Sequence, residues 1–535
     1  MKTLLKNGMI VDGTGQPAFL GCVILENDRI AGVVRGSAPL SFDGQIIDCS
    51  GKVIAPGFID AHSHNDWFAT MPDPVPYFKP FLEQGITTQI SGNCGFSPFG
   101  YEKNTPYHSL LGSGLFKATP SSEDFSDFSS WCDKASLTSP VNLAPLLGHG
   151  SVRIGLSGYA NRPLSSEETE KHRNKIQETL DQGAFGLSFG LQYEPDRYAP
   201  LEELEAAAEL VAEKNGTLTV HSRSTSVASP FYYPPVGKEP HNLRALKEMI
   251  ALAEKTGVRL QYSHLLFVGK STWKTVDESL DLIHEAQARG VKILYDFFPM
   301  TFGTSVITVI LPNWFLSLSK EEQAAKKNRL RLSIETQVSK LAVGFNFNDI
   351  QIAWAGSDDD SVTGKRISEL ASQWRCKELD AYLKVVEMSK AAGRVNMYRY
   401  YNDGIILKLM QDESSLFMTD AWIEKHGTQN AAAYGAFPRF LELTRESHVI
   451  SLEKAIQKMT GSTADYFSIP ERGYIRDGYF ADITVFDPEH IKANPDLPEP
   501  PEGIVHVFVN GTQLVEQGKA KENLMCGCGR ILRKV

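Results

Sequence analysis

The hydrophobic pattern differs between the two ends of the chain and its middle. Short apolar runs broken by Gly, Asn or Asp occupy residues 9–11, 22–25, 30–34 and 45–48, and again 481–486 and 506–511. Short apolar runs bounded by turn residues are typical of antiparallel strands, and Asn510-Gly511 predicts a hairpin turn. We therefore expect one small β-sandwich domain assembled from both chain termini.

The middle of the chain alternates apolar runs with amphipathic segments. Strands are expected at residues 53–59, 85–91, 141–147, 184–189, 217–221, 259–264, 291–296 and 415–420. Helices are expected at residues 166–182, 201–214, 243–256 and 276–289. Repeated strand–helix units predict a parallel sheet, and eight such strands predict a closed (β/α)8 TIM barrel of the α/β class.

These patterns give a domain division. Residues 1–55 with 473–535 are assigned to the small β domain, and residues 56–472 to the barrel. Residues 349–355 form a ninth strand candidate, so the segment near 302–349 is expected to be an insertion beside the barrel.

Residues that bind transition metals stand at the ends of several predicted strands. They are His62 and His64 after the first strand, Cys94 after the second, His221 in the fifth, His264 in the sixth and Asp420 in the eighth. The carboxyl ends of parallel barrel strands open on one face, so these side chains are expected to converge. Each residue alone has a structural explanation, but thiolate and imidazole groups at matching strand ends predict a metal site.

Composition narrows the class of protein. The chain has 535 residues, a net charge of -10 and 42% hydrophobic residues. Its length exceeds the roughly 250–300 residues that a single core can hold. The acidic balance gives no electrostatic footprint for nucleic acid, and no apolar run approaches the roughly 20 residues that span a membrane. Seven scattered cysteines and no export signal favour a cytoplasmic protein, and a homo-oligomer remains open.

Several sequence blocks resemble one known family. PGFIDAHSHND, GNCGFSP, FGLQYEPDRYA, VHSRS, YSHLLFVG and PERGYIRDGYFADITVFDP are similar to the D-aminoacylase (N-acyl-D-amino-acid deacylase) branch of the amidohydrolase superfamily. Matching blocks run from about Leu4 to the C-terminus. The resemblance implies a barrel with a small β domain and a zinc centre that acts on a small-molecule amide.

The resemblance also implies roles for the metal-type residues. Cys94, His221 and His264 would hold a tightly bound zinc, and His62, His64 and Asp420 would belong to a weaker second site. Zinc lowers the pKa of a bound water towards about 7. Asp420 would take the proton as hydroxide attacks the carbonyl, and pass it to the departing nitrogen. The expected activity is zinc-dependent hydrolysis of a non-peptide C–N bond, with deacylation of N-acyl-D-amino acids or related amides.

The sequence departs from this family where the substrate should bind. Leu266 stands where the family often has a lysine, and Asn-Ala-Ala-Ala at residues 430–433 replaces the usual His-Pro-Arg. Tyr193 and Arg223 persist and are expected to bind the substrate, because an Arg fork suits a carboxylate; in the alternative, Arg223 pairs with a structural acid and Tyr193 only packs. Two fewer cations favour a less anionic or bulkier amide.

Two other functions compete with this one. A cyclic-amide hydrolase of the dihydropyrimidinase or hydantoinase type shares the barrel and the His-x-His, but it normally needs a bridging carboxylated lysine. No lysine ends the third or fourth predicted strand. A catalytically silent metal-binding scaffold is the second alternative, because the recognition positions are altered.

Overall fold

The computed structural model describes residues 2–36, 41–112, 123–232, 237–356, 361–391, 393–524 and 526–534. The first strands are β1 (Lys2–Ile10), β2 (Phe19–Glu26), β3 (Arg29–Arg35), β4 (Gln45–Asp48) and β5 (Val53–Pro56). The middle strands are β6 (Phe58–Asp60), β7 (Ile86–Ser91), β8 (Asn142–Pro145), β9 (Leu147–Gly148), β10 (Gly186–Gly190), β11 (Thr217–His221), β12 (Arg259–Tyr262), β13 (Ile293–Phe297), β14 (Phe302–Val306), β15 (Ile350–Trp354), β16 (Arg394–Tyr398) and β17 (Ser415–Phe417). The last strands are β18 (Ile483–Phe486), β19 (Ile504–Val509), β20 (Thr512–Glu516) and β21 (Lys519–Ala520).

The α-helices follow the same order along the chain. They are α1 (Val75–Leu82), α2 (Phe128–Ser136), α3 (His149–Ser157), α4 (Ser166–Asp181), α5 (Leu201–Glu213), α6 (His241–Thr256), α7 (Val276–Ala288), α8 (Asn313–Leu316), α9 (Lys320–Ala324), α10 (Lys326–Val343), α11 (Ile367–Trp374), α12 (Glu378–Met388), α13 (Asp403–Gln411), α14 (Ala432–Ser447), α15 (Leu452–Met459) and α16 (Gly461–Phe467). The four helices expected from the sequence are confirmed as α4 to α7, each within two residues of the predicted bounds. In the part of the chain that the structure describes, no helix has the length and apolarity to cross a bilayer.

Strands from the two chain ends pair in one sheet. Its order is β21-β20-β19-β18-β5-β1-β2-β3, with β4 also paired to β1. The hairpin predicted at Asn510-Gly511 is confirmed, since both residues have positive φ between β19 and β20. The expectation that the first strands are all antiparallel is wrong for β4, and β5 belongs to the segment that was expected to be the first barrel strand. Both run parallel to β1, β4 beside its first half and β5 beside its end, on either side of a bulge.

The single strand expected at residues 53–59 is divided in two at Gly57. Strand β5 pairs with β1 and β18 in the sheet of the chain ends, whereas β6 pairs with β7. A Cβ atom on Gly57 would lie 2.2 Å from Oγ1 of Thr87. Glycine is therefore required where the chain passes from one sheet to the other.

The parallel strands of the middle place their carboxyl ends on one side of the molecule. One group has the order β6-β7-β8 and the other β9-β10-β11-β12-β13-β17, with every pair parallel. Strands β7, β8, β10 and β11 are buried along their whole length, as expected for a parallel sheet covered on both faces. Next to β6 and β17, the outermost strands of the two groups, the Ala61 amide donates to the Phe417 carbonyl (3.3 Å). The result is an α/β fold.

A further group of elements interrupts this alternation after β13. Strands β14, β15 and β16 form a separate antiparallel sheet with the order β14-β16-β15, and α8 to α12 lie between them in sequence. We call residues 302–398 the inserted segment. It extends beyond the expected limit at residue 349, because the ninth strand candidate, β15, pairs with the downstream strand β16.

Candidate metal centre

The six metal-type side chains follow or end parallel strands on one side of the molecule. His62 and His64 follow β6, Cys94 follows β7, His221 is the last residue of β11, His264 follows β12 and Asp420 follows β17. Cys94, His264 and Asp420 have φ values of +55°, +35° and +48°. A left-handed backbone is uncommon outside glycine and collects at functional sites, where the surrounding structure holds it.

Cys94, His221 and His264 form the first group of possible ligands. The Cys94 Sγ lies 3.6 Å from His221 Nδ1 and 3.6 Å from His264 Nε2. The two imidazole rings have centroids 4.4 Å apart. All three side chains are buried, and their ligand atoms lie within 4.8 Å of one another.

Cys94 also belongs to a second group, with His62, His64 and Asp420. The Cys94 Sγ lies 3.4 Å from His62 Nε2. Asp420 Oδ1 lies 3.3 Å from His64 Nε2 and 3.5 Å from His62 Nε2. A thiol and imidazoles converging in this way make a donor set suited to a divalent transition metal.

Burial shifts the pKa values of these thiol and imidazole groups. It raises the pKa of the Cys94 thiol to about 11 and lowers the pKa of His64 to about 4. Burial also lowers the pKa of His221 and His264, so their imidazoles are neutral and able to bind a cation.

The pKa of Asp420 is set mainly by its neighbours, which outweigh the effect of burial. Burial acts to raise the pKa of this carboxyl, but the hydrogen bond with His64 and the nearby histidines bring it well below its usual value. Asp420 is therefore ionised at neutral pH.

Two buried carboxyl groups support the centre and were not predicted from the sequence. Asp296 accepts hydrogen bonds from the His264 amide and the Gln261 side chain, and it lies 3.5 Å from His62 Nδ1. Asp60 accepts from the Thr419 hydroxyl at 2.6 Å and from the His62 amide at 3.2 Å. Asp60 and Asp296 thus hold the backbone at His62 and His264, and Asp296 also lies near the His62 imidazole, as the supporting partners of metal-binding histidines do. Asp296 lies near the end of β13, so the strand-end pattern contained the signal.

Five of the metal-type side chains line a cavity of about 760 Å³: His64, Cys94, His221, His264 and Asp420. Tyr193, expected to bind substrate, lines it, with its ring centroid 4.6 Å from that of His221. Leu266, Tyr400 and Trp422 also line the cavity, and Tyr400 and Trp422 were not predicted.

Arg223, the other expected substrate-binding residue, does not line the described cavity. Its Nε donates to Glu248 Oε1 (3.2 Å), and its other nitrogens donate to the carbonyl groups of Arg197 and Ala199. The geometry thus fits the structural alternative, in which the guanidinium pairs with an acid.

Comparison with known families adds an independent finding. The sequence pattern of a family described as "Amidohydrolase family" matches residues 45–301 and 401–515. The unmatched interval between them, residues 302–400, coincides with the inserted segment.

Individual proteins are similar over almost the full length. The chain is 26% identical to an N-acyl-D-glutamate deacylase of Alcaligenes xylosoxydans xylosoxydans, covering 99% of this chain and 96% of that protein. A crystal structure of D-aminoacylase matches with a TM-score of 0.80 at 25% identity, covering 99% of both chains. A second D-aminoacylase structure, described by its binuclear metal center with one-metal activation and second-metal attenuation, matches with a TM-score of 0.78 at 25% identity and 99% coverage of both chains.

Proposed function

The chain belongs to the amidohydrolase family, and we propose that it hydrolyses amide C–N bonds with the help of zinc, removing the acyl group from N-acyl-D-amino acids or related amides. The similar N-acyl-D-glutamate deacylase supports the choice of substrate class. The resemblance to the D-aminoacylase branch, expected from the sequence blocks, is confirmed by the matches over the whole chain.

One observation carries the assignment of zinc. The Cys94 Sγ lies 3.4–3.6 Å from a ring nitrogen of each of His62, His221 and His264. Tetrahedral zinc with bonds of about 2.3 Å to sulfur and about 2.0–2.1 Å to nitrogen separates the two donor atoms by about 3.5 Å. The spacing of these donors therefore fits zinc held between thiolate and imidazole.

We assign Cys94, His221 and His264 to a tight site, and His62, His64 and Asp420 to a weaker second site. When bound, zinc supplies a polarised carbonyl and a more acidic water. The ionised Asp420, held by His64, would serve as the proton acceptor for the attacking water and as the proton donor to the departing nitrogen. Tyr193 orients the substrate from the cavity wall.

The fold expected from the sequence belongs to the same proposal. We propose that the eight parallel strands from β6 to β17 close as a (β/α)8 barrel, with β8 and β9 as two parts of one strand. Residues 1–55 and 473–535 then form the small β-sandwich domain, and residues 56–472 form the barrel with the inserted segment.

The experiment that tests this proposal is the variant Asp420→Asn. It removes the proton acceptor and leaves all three ligands of the tight site, so we expect the metal of the tight site to persist while kcat for an N-acyl-D-amino acid falls by at least about 100-fold. Glu321→Gln, in the exposed first turn of α9, is the matched control and should keep both. Retained turnover in Asp420→Asn would show that the base is misassigned.

A further inference from the structure

The inserted segment gives the cavity a long arm away from the metal centre. The same cavity that contacts His264 and Asp420 continues to α10 and to Phe345 and Phe347. Its volume of about 760 Å³ lies in the upper part of the roughly 300–1,000 Å³ range of ligand pockets. An N-acetyl group fills only a small part of such a space.

The wall of this arm is mostly apolar, although Thr304, Ser305, Thr336, Ser339 and Asn346 also contribute to it. Side chains that the inserted segment contributes to it include Val309, Ile310, Pro312, Val338, Val343 and Phe345. Arg331 and Lys340 also lie on the wall, but Glu335 (2.8 Å) and Glu378 (3.1 Å) pair with them. An alkyl group suits this surface better than a charged one, because burial of a charge without a partner is costly.

Helix α10 carries the apolar surface from the cavity to the outside. Leu330, Ile334, Val338 and Leu341 are 63%, 56%, 50% and 83% exposed, and their spacing of four, four and three residues places them on one helix face. Ile334 and Val338 also line the cavity. A stripe of this kind at a pocket entrance is typical of a surface that contacts an apolar ligand.

We propose that the substrate carries a long alkyl acyl chain, of about eight carbons or more, which lies in the arm between the metal centre and α10. This inference rests on the proposed amide hydrolysis and names its substrate class. Water adds across the amide bond, so the acyl carbon leaves as a fatty carboxylate and the nitrogen takes the proton to leave as a D-amino acid. Leu266 also lines the cavity and adds to its apolar surface.

A chain-length series tests the proposal. With the amino acid fixed as D-methionine, kcat/KM is measured for N-acetyl, N-hexanoyl, N-decanoyl and N-tetradecanoyl substrates. Each methylene buried in the arm is worth up to about fourfold, and we expect the decanoyl substrate to exceed the acetyl one by at least about 100-fold. A flat or falling series together with good N-acetyl turnover would overturn the acyl-chain inference and leave the proposed function standing.

A variant tests where the acyl chain of the substrate lies. Val338→Asn introduces an amide where the arm meets the stripe, so it should lower the decanoyl-to-acetyl ratio of kcat/KM by about fourfold or more. Leu497→Asn is the matched control, because Leu497 is 51% exposed in a loop and does not line the cavity. An unchanged ratio in Val338→Asn would place the acyl chain elsewhere.

Calorimetry gives a readout that needs no turnover. Decanoate should bind the Asp420→Asn protein with a negative heat-capacity change, the marker of apolar burial, and it should bind more weakly when Val338→Asn is added. Absence of decanoate binding would contradict the inference. Binding of decanoate by a protein that hydrolyses none of the amides would instead contradict the proposed function and keep the apolar arm.

Discussion

Cys94 belongs to both of the ligand groups described above, so its thiol is close enough to serve either of the proposed sites. Burial raises its pKa to about 11, which keeps the thiol protonated at neutral pH unless a cation is bound. Metal binding must therefore release this proton.

From this we expect Cys94→Ala to lose metal and activity together. Loss of a residue that only orients a ligand weakens metal binding by about 10- to 100-fold, and loss of the shared ligand should cost more. Metal content after dialysis, measured by mass spectrometry, checks this. Cys376→Ala removes an exposed cysteine and should keep its metal; equal metal content in both variants would remove Cys94 from the site.

His149 lies in a buried ion-pair network outside the candidate metal centre. Its Nδ1 is 2.7 Å from Asp196 Oδ1 and its Nε2 is 3.4 Å from Glu203 Oε1. Burial acts to lower its pKa, but these two carboxylates raise the pKa from 6.5 to about 9. Asp196 also accepts a hydrogen bond from the Gly190 amide, so the network supports the end of β10.

This network makes stability depend on pH. Because the folded pKa of His149 is raised, its contribution is complete below about pH 6.5 and is lost as pH rises through about 9. We expect the free energy of unfolding to fall by on the order of 2–3 kcal/mol across that interval. His149→Gln should remove this fall in urea titrations, and a variant that keeps the wild-type pH dependence would contradict the assignment.

The metal-type residues could be predicted from the sequence because each stands at the end of an apolar run. Asp60 and Asp296 also lie at strand ends, but they were missed because a sequence pattern does not show that they accept hydrogen bonds from the His62 and His264 amides. Arg223 was expected at the substrate, but Glu248 is 25 residues away in sequence, so their pairing is visible only in the fold. The left-handed backbone at Cys94, His264 and Asp420 is imposed by tertiary structure and has no local signal.

Among the elements, the connection from β5 to β6 links the two sheets. A Cβ on Gly57 would lie 2.2–2.8 Å from three atoms of the Thr87 side chain. Gly57→Ala should therefore lower the free energy of unfolding by about 1–3 kcal/mol, the usual cost of overpacking, as measured by urea denaturation. Gly32→Ala in β3 is the control, because its nearest neighbour would be 3.8 Å away. Equal free energies of unfolding for the two variants would show that a methyl group fits at residue 57.

Strand–helix alternation was enough to predict α4 to α7 and most of the parallel strands. The break at Gly57 was not visible, because residues 53–59 are apolar on both sides of it. The extent of the inserted segment was also missed, since β15 is identified as part of a separate sheet only through its pairing with β16.

At the scale of the whole molecule, the two chain ends, the parallel strands and the inserted segment form different parts of the structure. The ends build the sheet that contains β1 and β18, the parallel strands hold the candidate ligands, and the inserted segment covers the cavity. The family pattern matches residues 45–301 and 401–515, which include all the parallel strands that carry the candidate ligands, and it omits residues 302–400. The candidate ligands thus lie in the part of the chain shared with the family, and the segment outside the family pattern lines part of the cavity.

The most direct test of the central claim is hydrolysis of N-acyl-D-amino acids by metal-free protein to which zinc is added back. We expect no turnover after chelation, recovery as the first equivalent of zinc binds, and a preference for D over L substrates. Turnover that survives chelation, or zinc-loaded protein that cleaves none of these amides, would contradict the account.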